Sequence, residues 1–191
     1  MILFSSSLLA QGQVSYDEVD GRQNVIESTV PFLSIAPDSR GGAMGDAGVA
    51  TSPDNNSQHW NPSKYAFIDG QGGITLTYTP WLRNIVNDIN LAYLSGYYRV
   101  DRQQVVSGSL RYFSLGSITF TDNEGEFVQL FNPNEFALDL GYSRMFSEYV
   151  SGGMVFRFIR SDLSGRMVTS GGETKPGIAY AADISAYYRR P

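Results

Sequence analysis

Hydrophobic and polar residues alternate along the chain from about residue 71 onward, and not before it. The clearest run is Ile74-Thr75-Leu76-Thr77-Tyr78-Thr79. Ile74, Leu76 and Tyr78 share one face and the threonines share the other, which is the period of a half-buried strand. The run 89–100 is strand-like but apolar on both faces. In 104–114, Val106, Gly108, Leu110 and Tyr112 oppose Ser107, Ser109 and Arg111. Phe136, Leu138, Leu140 and Tyr142 oppose Ala137, Asp139, Gly141 and Ser143. Val150, Gly152, Met154, Phe156 and Phe158 oppose Ser151, Gly153, Val155, Arg157 and Ile159. In the last run Ile178, Tyr180, Ala182, Ile184, Ala186 and Tyr188 oppose Ala179, Ala181, Asp183, Ser185, Tyr187 and Arg189. Strands are therefore predicted at 71–79, 89–100, 104–115, 135–145, 149–162 and 178–190.

Most of these runs are longer than the about 5–6 residues usual in soluble proteins and match the ~9–11 residues of a tilted membrane strand. The connections 80–88, 116–134 and 163–177 are long, whereas 101–103 and 147–148 are short. Long and short alternate strictly. A transmembrane antiparallel up-and-down β-barrel has this pattern, with short periplasmic turns and long outward loops. Six strands do not close such a barrel, because the smallest bacterial ones have about 8. The expectation is an all-β barrel of which residues 71–191 are the first strands, completed by further sequence.

Ahead of the strands, residues 34–70 are rich in Gly, Ala, Asn, Asp and Pro. They are expected to form a plug or a periplasmic cap at the barrel's inner mouth. It would be built on the small residues Gly41 to Gly48 and pinned by Trp60-Asn61-Pro62. Residues 11–33 read as an irregular N-terminal segment. Residues 1–10 end in the apolar Leu8-Leu9-Ala10, which suits the remnant of a secretory signal peptide cleaved near Ala10. The basic start of such a signal is missing; the alternative, a short apolar terminus of no meaning, is the less favoured one. No cysteine follows the cleavage point, so a lipoprotein is excluded. No apolar run approaches the ~20 residues of a membrane-spanning helix.

Composition narrows the chemistry. Twelve Tyr, eleven Phe and twenty Gly suit β-structure with a large interface. There is no cysteine and one histidine, His59, so thiolate and multi-histidine metal sites are out. A net charge of −5 argues against nucleic acid as the main partner. Gly42-Ala43-Met44-Gly45-Asp46-Ala47-Gly48 is Gly-rich, but it follows no strand and lacks a GK[ST] ending, so it reads as a compact turn or short helix. Asp54-Asn55-Asn56 and 122–126 lack calcium-loop spacing and read as solvated loops. His59 has no catalytic partner in view and reads as a structural or surface histidine. Arg111, Asp139, Arg157 and Asp183 share the face opposite the apolar one, with alternating sign. They form either a cross-strand charge ladder or a set of charges facing lumenal water. No nucleophile–base pair is present. No catalytic, cofactor-binding or metal-binding residue is expected, and the chain is not expected to be an enzyme.

The stretch Arg40-Gly41-Gly42-Ala43-Met44-Gly45-Asp46-Ala47-Gly48-Val49-Ala50 is followed by Asp54-Asn55-Asn56-Ser57 and by Trp60-Asn61-Pro62-Ser63. This resembles the N-terminal signature of the FadL-like outer-membrane family. Ser63 stands where that family usually has Ala, and Asp46 where it has Gly. The preceding Thr29 to Arg40, with Leu115-Gly116-Ser117-Ile118 and Asn132-Pro133-Asn134-Glu135-Phe136, narrows the resemblance to the PorV (LptO) branch of the type IX secretion system. The resemblance implies a barrel of roughly fourteen strands in the bacterial outer membrane, in contact with its lipid. It also implies a cargo shuttle. Such proteins associate with the translocon barrel SprA (Sov), receive secreted cargo by its C-terminal domain, and pass it to the attachment complex of the PorU sortase with PorQ and PorZ. The alternative is a FadL-type channel for hydrophobic small molecules. A channel should show an apolar lumen pocket under its plug, and a shuttle should show aromatic outward loops. Trp81 in 80–88, and Phe127 and Phe131 in 116–134, are the candidate partner-binding residues, since exposed aromatics mark interfaces.

Overall fold

Six long strands pair in chain order into one antiparallel sheet. They are β1 (Gly72–Pro80), β2 (Ile89–Arg99), β3 (Gln104–Leu115), β6 (Asn134–Met145), β7 (Val150–Asp162) and β10 (Gly177–Tyr188). The computed structural model describes residues 30–80, 88–121, 126–163, 168–169, 172–173 and 176–190. The expectations for a signal remnant at 1–10 and for Trp81 lie outside these residues.

Each strand begins and ends within one or two residues of its predicted bounds, because the alternation that marks it is also what its two faces require. The long connections were the harder part to read. Segment 116–134 contains a two-stranded sheet, β4 (Ile118–Thr121) with β5 (Phe127–Phe131). Segment 163–177 contains a smaller one, β8 (Val168–Thr169) with β9 (Gly172–Glu173). Both were expected as loops. Ile118-Thr119-Phe120-Thr121 is a β-prone alternation, but too short to stand out beside strands of twelve residues.

The pleat divides the sheet into two faces. Ile74, Leu94, Leu110, Leu138, Leu140, Phe156 and Tyr180 lie on an exposed outer face. Leu91, Tyr93, Ser95, Val105, Ser107, Arg111, Asp139, Ser143 and Val155 lie on the opposite, inner face and are buried. The cover over the inner face is residues 30–70. They comprise a 3₁₀ turn at Pro31–Ser34, α1 (Ser39–Ala43), α2 (Ser57–Trp60) and a second 3₁₀ segment at Pro62–Phe67. Proline opens both 3₁₀ segments, where its fixed φ and missing N–H cost least.

This segment runs the length of the sheet. Phe32 packs among Leu91, Phe113, Ala137 and Ile159, near the end that carries the long connections. Tyr65 and Ile68 pack with Tyr97 and Val105, near the short turns. Residues 30–70 therefore occupy more than one end of the inner face. Trp60 lies over both Gly41 and Gly48, where an added Cβ would come within 2.6 and 2.1 Å of the indole. Between them, Gly45 and Asp46 take positive φ values of 73° and 59° to turn the chain back under the ring.

Candidate functional site

The inner face is polar where it meets residues 30–70, and most of its polar groups are matched; the Tyr93 hydroxyl and Gln58 Nε2 are buried without a hydrogen-bond partner among the described residues. Ser107 donates to Gln58 Oε1 at 2.6 Å and Ser95 to the Asn55 carbonyl at 2.9 Å. Ser143 donates to the Pro62 carbonyl at 2.6 Å and Ser151 to the Ser63 carbonyl at 2.7 Å. Asn61 donates to the carbonyls of Val49 and Ala186. Serines two residues apart on one strand face were visible in the sequence as a polar side. Their partners were not: Ser107 meets the Gln58 side chain and Ser109 the Asp139 carboxylate, while Ser95, Ser143 and Ser151 meet backbone carbonyls of irregular chain.

The four charges that the sequence places on the inner face, Arg111, Asp139, Arg157 and Asp183, divide into two groups. Arg157 makes a bidentate pair with Asp139, at 2.8 and 3.0 Å, and reaches Asp183 at 3.4 Å. The ladder reading therefore holds for these three residues. Arg111 stands apart. The register puts Ala137 opposite it, and both Asp139 oxygens are engaged by Arg157 and Ser109. Its Nη1 instead donates toward the carbonyls of Phe32, Leu33 and Ile35 at 3.0, 2.8 and 3.2 Å. These carbonyls end a helical turn, where the backbone dipoles leave partial negative charge. Nη2 lies 2.7 Å from His59 Nδ1. His59 is thus a structural histidine held by the sheet. Burial, and then the Arg111 charge, lower its pKa to about 3. Lys64 is fully buried and donates to the Gly48 carbonyl at 2.8 Å and to Thr51 Oγ1 at 3.1 Å. Burial pushes its ammonium down from the ordinary lysine value.

The long-connection end carries the candidate contact residues. Phe127 is 67 % exposed, Leu130 57 % and Ile118 44 %, all on the β4–β5 hairpin. Phe131 is half-buried, opposite Ile118, with its ring centroid 6.5 Å from that of Phe120. Phe131 thus helps hold the hairpin together while Phe127 projects from it. The structure brings these two residues to one strand, β5. Ile118, on the paired strand, is an exposed apolar residue that the reading of a structureless loop did not single out.

Among the described residues no three His, Asp or Glu side chains gather as a metal site. No described helix is long and apolar enough to cross a membrane, which says nothing of strands. Asp54 pairs with Arg40 at 2.9 Å and accepts from the Asn56 N–H and the Ser57 hydroxyl. The family model described as "Type IX secretion system protein PorV" matches residues 18–191. No curated protein matches the chain.

Proposed function

The chain belongs to the PorV family of type IX secretion system proteins, and on that premise we propose that it is an outer-membrane β-barrel that binds secreted cargo and hands it to the cell-surface attachment complex. The observation that carries the cargo reading is the β4–β5 hairpin, which leaves Ile118, Phe127 and Leu130 exposed at the long-connection end. An apolar cluster on a projecting hairpin suits a protein interface better than a solvated loop.

The sheet supports the membrane part. An eleven-residue strand such as β2 is about 35 Å long and covers roughly 27 Å of membrane normal when tilted by about 40°. That matches a hydrocarbon core of ~30 Å. The exposed face is apolar in the middle, with Tyr78 and Tyr112 toward one end and Tyr98, Tyr142 and Tyr188 toward the other. Aromatic rows at both borders are the mark of a strand-built membrane protein. Exposure rises from 42 % at Leu110 in mid-sheet to 91 % at Ile184 on β10. Closure into a FadL-like barrel would use the outer edges of β1 and β10, each of which has one neighbour in the sheet. Residues 30–70 would then lie inside as a plug.

In this reading the long connections face outward. They meet the translocon barrel SprA (Sov), the C-terminal domain of the cargo, and the PorU complex with PorQ and PorZ. A channel for hydrophobic small molecules has less support. The apolar seat on the inner face is filled by Phe32, and the rest of the segment is hydrogen-bonded strand by strand.

The test is pull-down of a cargo C-terminal domain, with heat-modifiable gel migration as the folding control. Replacing Trp81, Phe127 and Phe131 together with Ala should weaken capture by well over tenfold, since each buried interface aromatic contributes ~2 kcal/mol or more. Unaltered capture of every partner by the folded triple variant would remove these residues as the docking surface.

A further inference from the structure

At the short-turn end of the outer face, the register aligns Gln104, Arg144, Gly152 and Ala186 in one row across β3, β6, β7 and β10. Two small residues in succession leave a trough. Met154 and Ile184 form its wall toward mid-sheet. Phe146 forms part of the opposite wall, with a ring carbon 2.7 Å from where a Cβ on Gly152 would sit. Tyr142 and Arg144 close one end, and the volume is about 350 Å³.

The polar groups around this trough are accounted for, apart from one. The Tyr142 hydroxyl donates to Gln104 Oε1 at 2.6 Å, and Ser185 Oγ donates to the Gly153 carbonyl at 3.4 Å. Arg144 has no hydrogen bond or ion pair among the described residues. Asp101, on the neighbouring turn, already accepts from the Gln103 N–H and from Gln104 Nε2. A second trough on the same face lies over Gly96 and Gly108, between Leu94, Leu110, Leu138 and Leu140, and has no cation at its rim. Of these two troughs, the one at Arg144 joins an apolar floor to a guanidinium at the polar border of the sheet; Asp101, of opposite charge, acts on it without forming an ion pair.

We propose that this trough seats an anionic phospholipid of the leaflet at the short-turn end. Its phosphate lies on Arg144 and a stretch of acyl chain covers Gly152 and Ala186. The inference rests on the membrane-spanning reading. A guanidinium matches phosphate oxygens with two parallel donors, and at the membrane border it can face the headgroups while its stem stays apolar. Basic sites at that depth select anionic headgroups.

The test uses the full protein in nanodiscs of phosphatidylcholine doped with phosphatidylglycerol. Native mass spectrometry after transfer to detergent counts the lipid retained. The wild type should keep one phosphatidylglycerol. Arg144→Gln should lower that retention about tenfold, the usual effect of losing a charged hydrogen bond. Ala186→Leu, which fills the trough and leaves the arginine, should lower it comparably. Retention by both variants equal to wild type would overturn the site. So would loss in Arg144→Gln alone, which would mean a surface charge without a seat. Displacement of the lipid by millimolar inorganic phosphate would point to a free-anion site and overturn the lipid. Failure of the wild type to enter nanodiscs or to show heat-modifiable migration is a separate result. It would overturn the membrane-spanning reading, and this site with it.

Discussion

Arg111 of the sheet meets His59 of the covering segment at 2.7 Å, and the contact dictates the form of the imidazole. Arginine keeps its proton at any pH a cell meets, so His59 Nδ1 must accept and the ring must stay neutral. An unfolded chain protonates His59 near 6.5, and the folded one near 3. Between those values the unfolded state binds the extra proton. Stability from this group is therefore complete above about pH 6.5 and is lost as pH falls toward 3, by at most about 1.4 kcal/mol per unit. NMR of ¹³C-labelled histidine, assigned by loss of the signal in His59→Gln, should show no titration between pH 8 and 5. A midpoint near 6.5 would contradict the contact. Gly48 gives a second residue-scale test. A methyl group there collides with Trp60, whose Nε1 donates to Asp38 at 2.9 Å. Gly48→Ala should destabilise by about 1–3 kcal/mol, read as a lower temperature for the heat-modifiable shift. The sequence showed the Gly41–Gly48 run and Trp60-Asn61-Pro62 as packing material for each other. It did not show the burial of Lys64, because its acceptors, the Gly48 carbonyl and Thr51, belong to a turn with no regular pattern.

Strands were legible because a period of two is forced wherever one face meets lipid or water and the other a packed interior. Leu138 and Ala137 are neighbours with opposite fates. Leu138 is exposed on the outer face, and Ala137 is buried against Phe32. Leu138→Arg should cost ~2–4 kcal/mol if that face meets hydrocarbon near mid-depth, measured by urea refolding into liposomes. A cost below about 0.5 kcal/mol would mean that the face meets water. The connections followed another logic. Their lengths were readable, and the topology puts all three long ones at one end of the sheet. The β4–β5 pairing inside one of them was not, because four- and five-residue strands carry too few alternations to separate from a loop. The charges of the inner face were half legible. Asp139, Arg157 and Asp183 pair across strands as their positions suggested. Arg111 turns to the carbonyls of residues 32–35, which no strand pattern could predict.

For the molecule as a whole, we propose one orientation: the apolar face stands in lipid, the covered polar face looks inward, and the exposed hairpin projects from the end that meets the cell's surroundings. Family membership supplies the secretion system, and the direction in which the molecule presents its contact residues is the proposal. The most direct measurement is photo-crosslinking in living cells that are secreting cargo, with a crosslinking amino acid placed either at Phe127 on the hairpin or at Arg102 in a short turn. The account predicts adducts with cargo C-terminal domains from position 127 and none from position 102. Cargo adducts from position 102, or none from position 127 in a barrel that assembles normally, would contradict it.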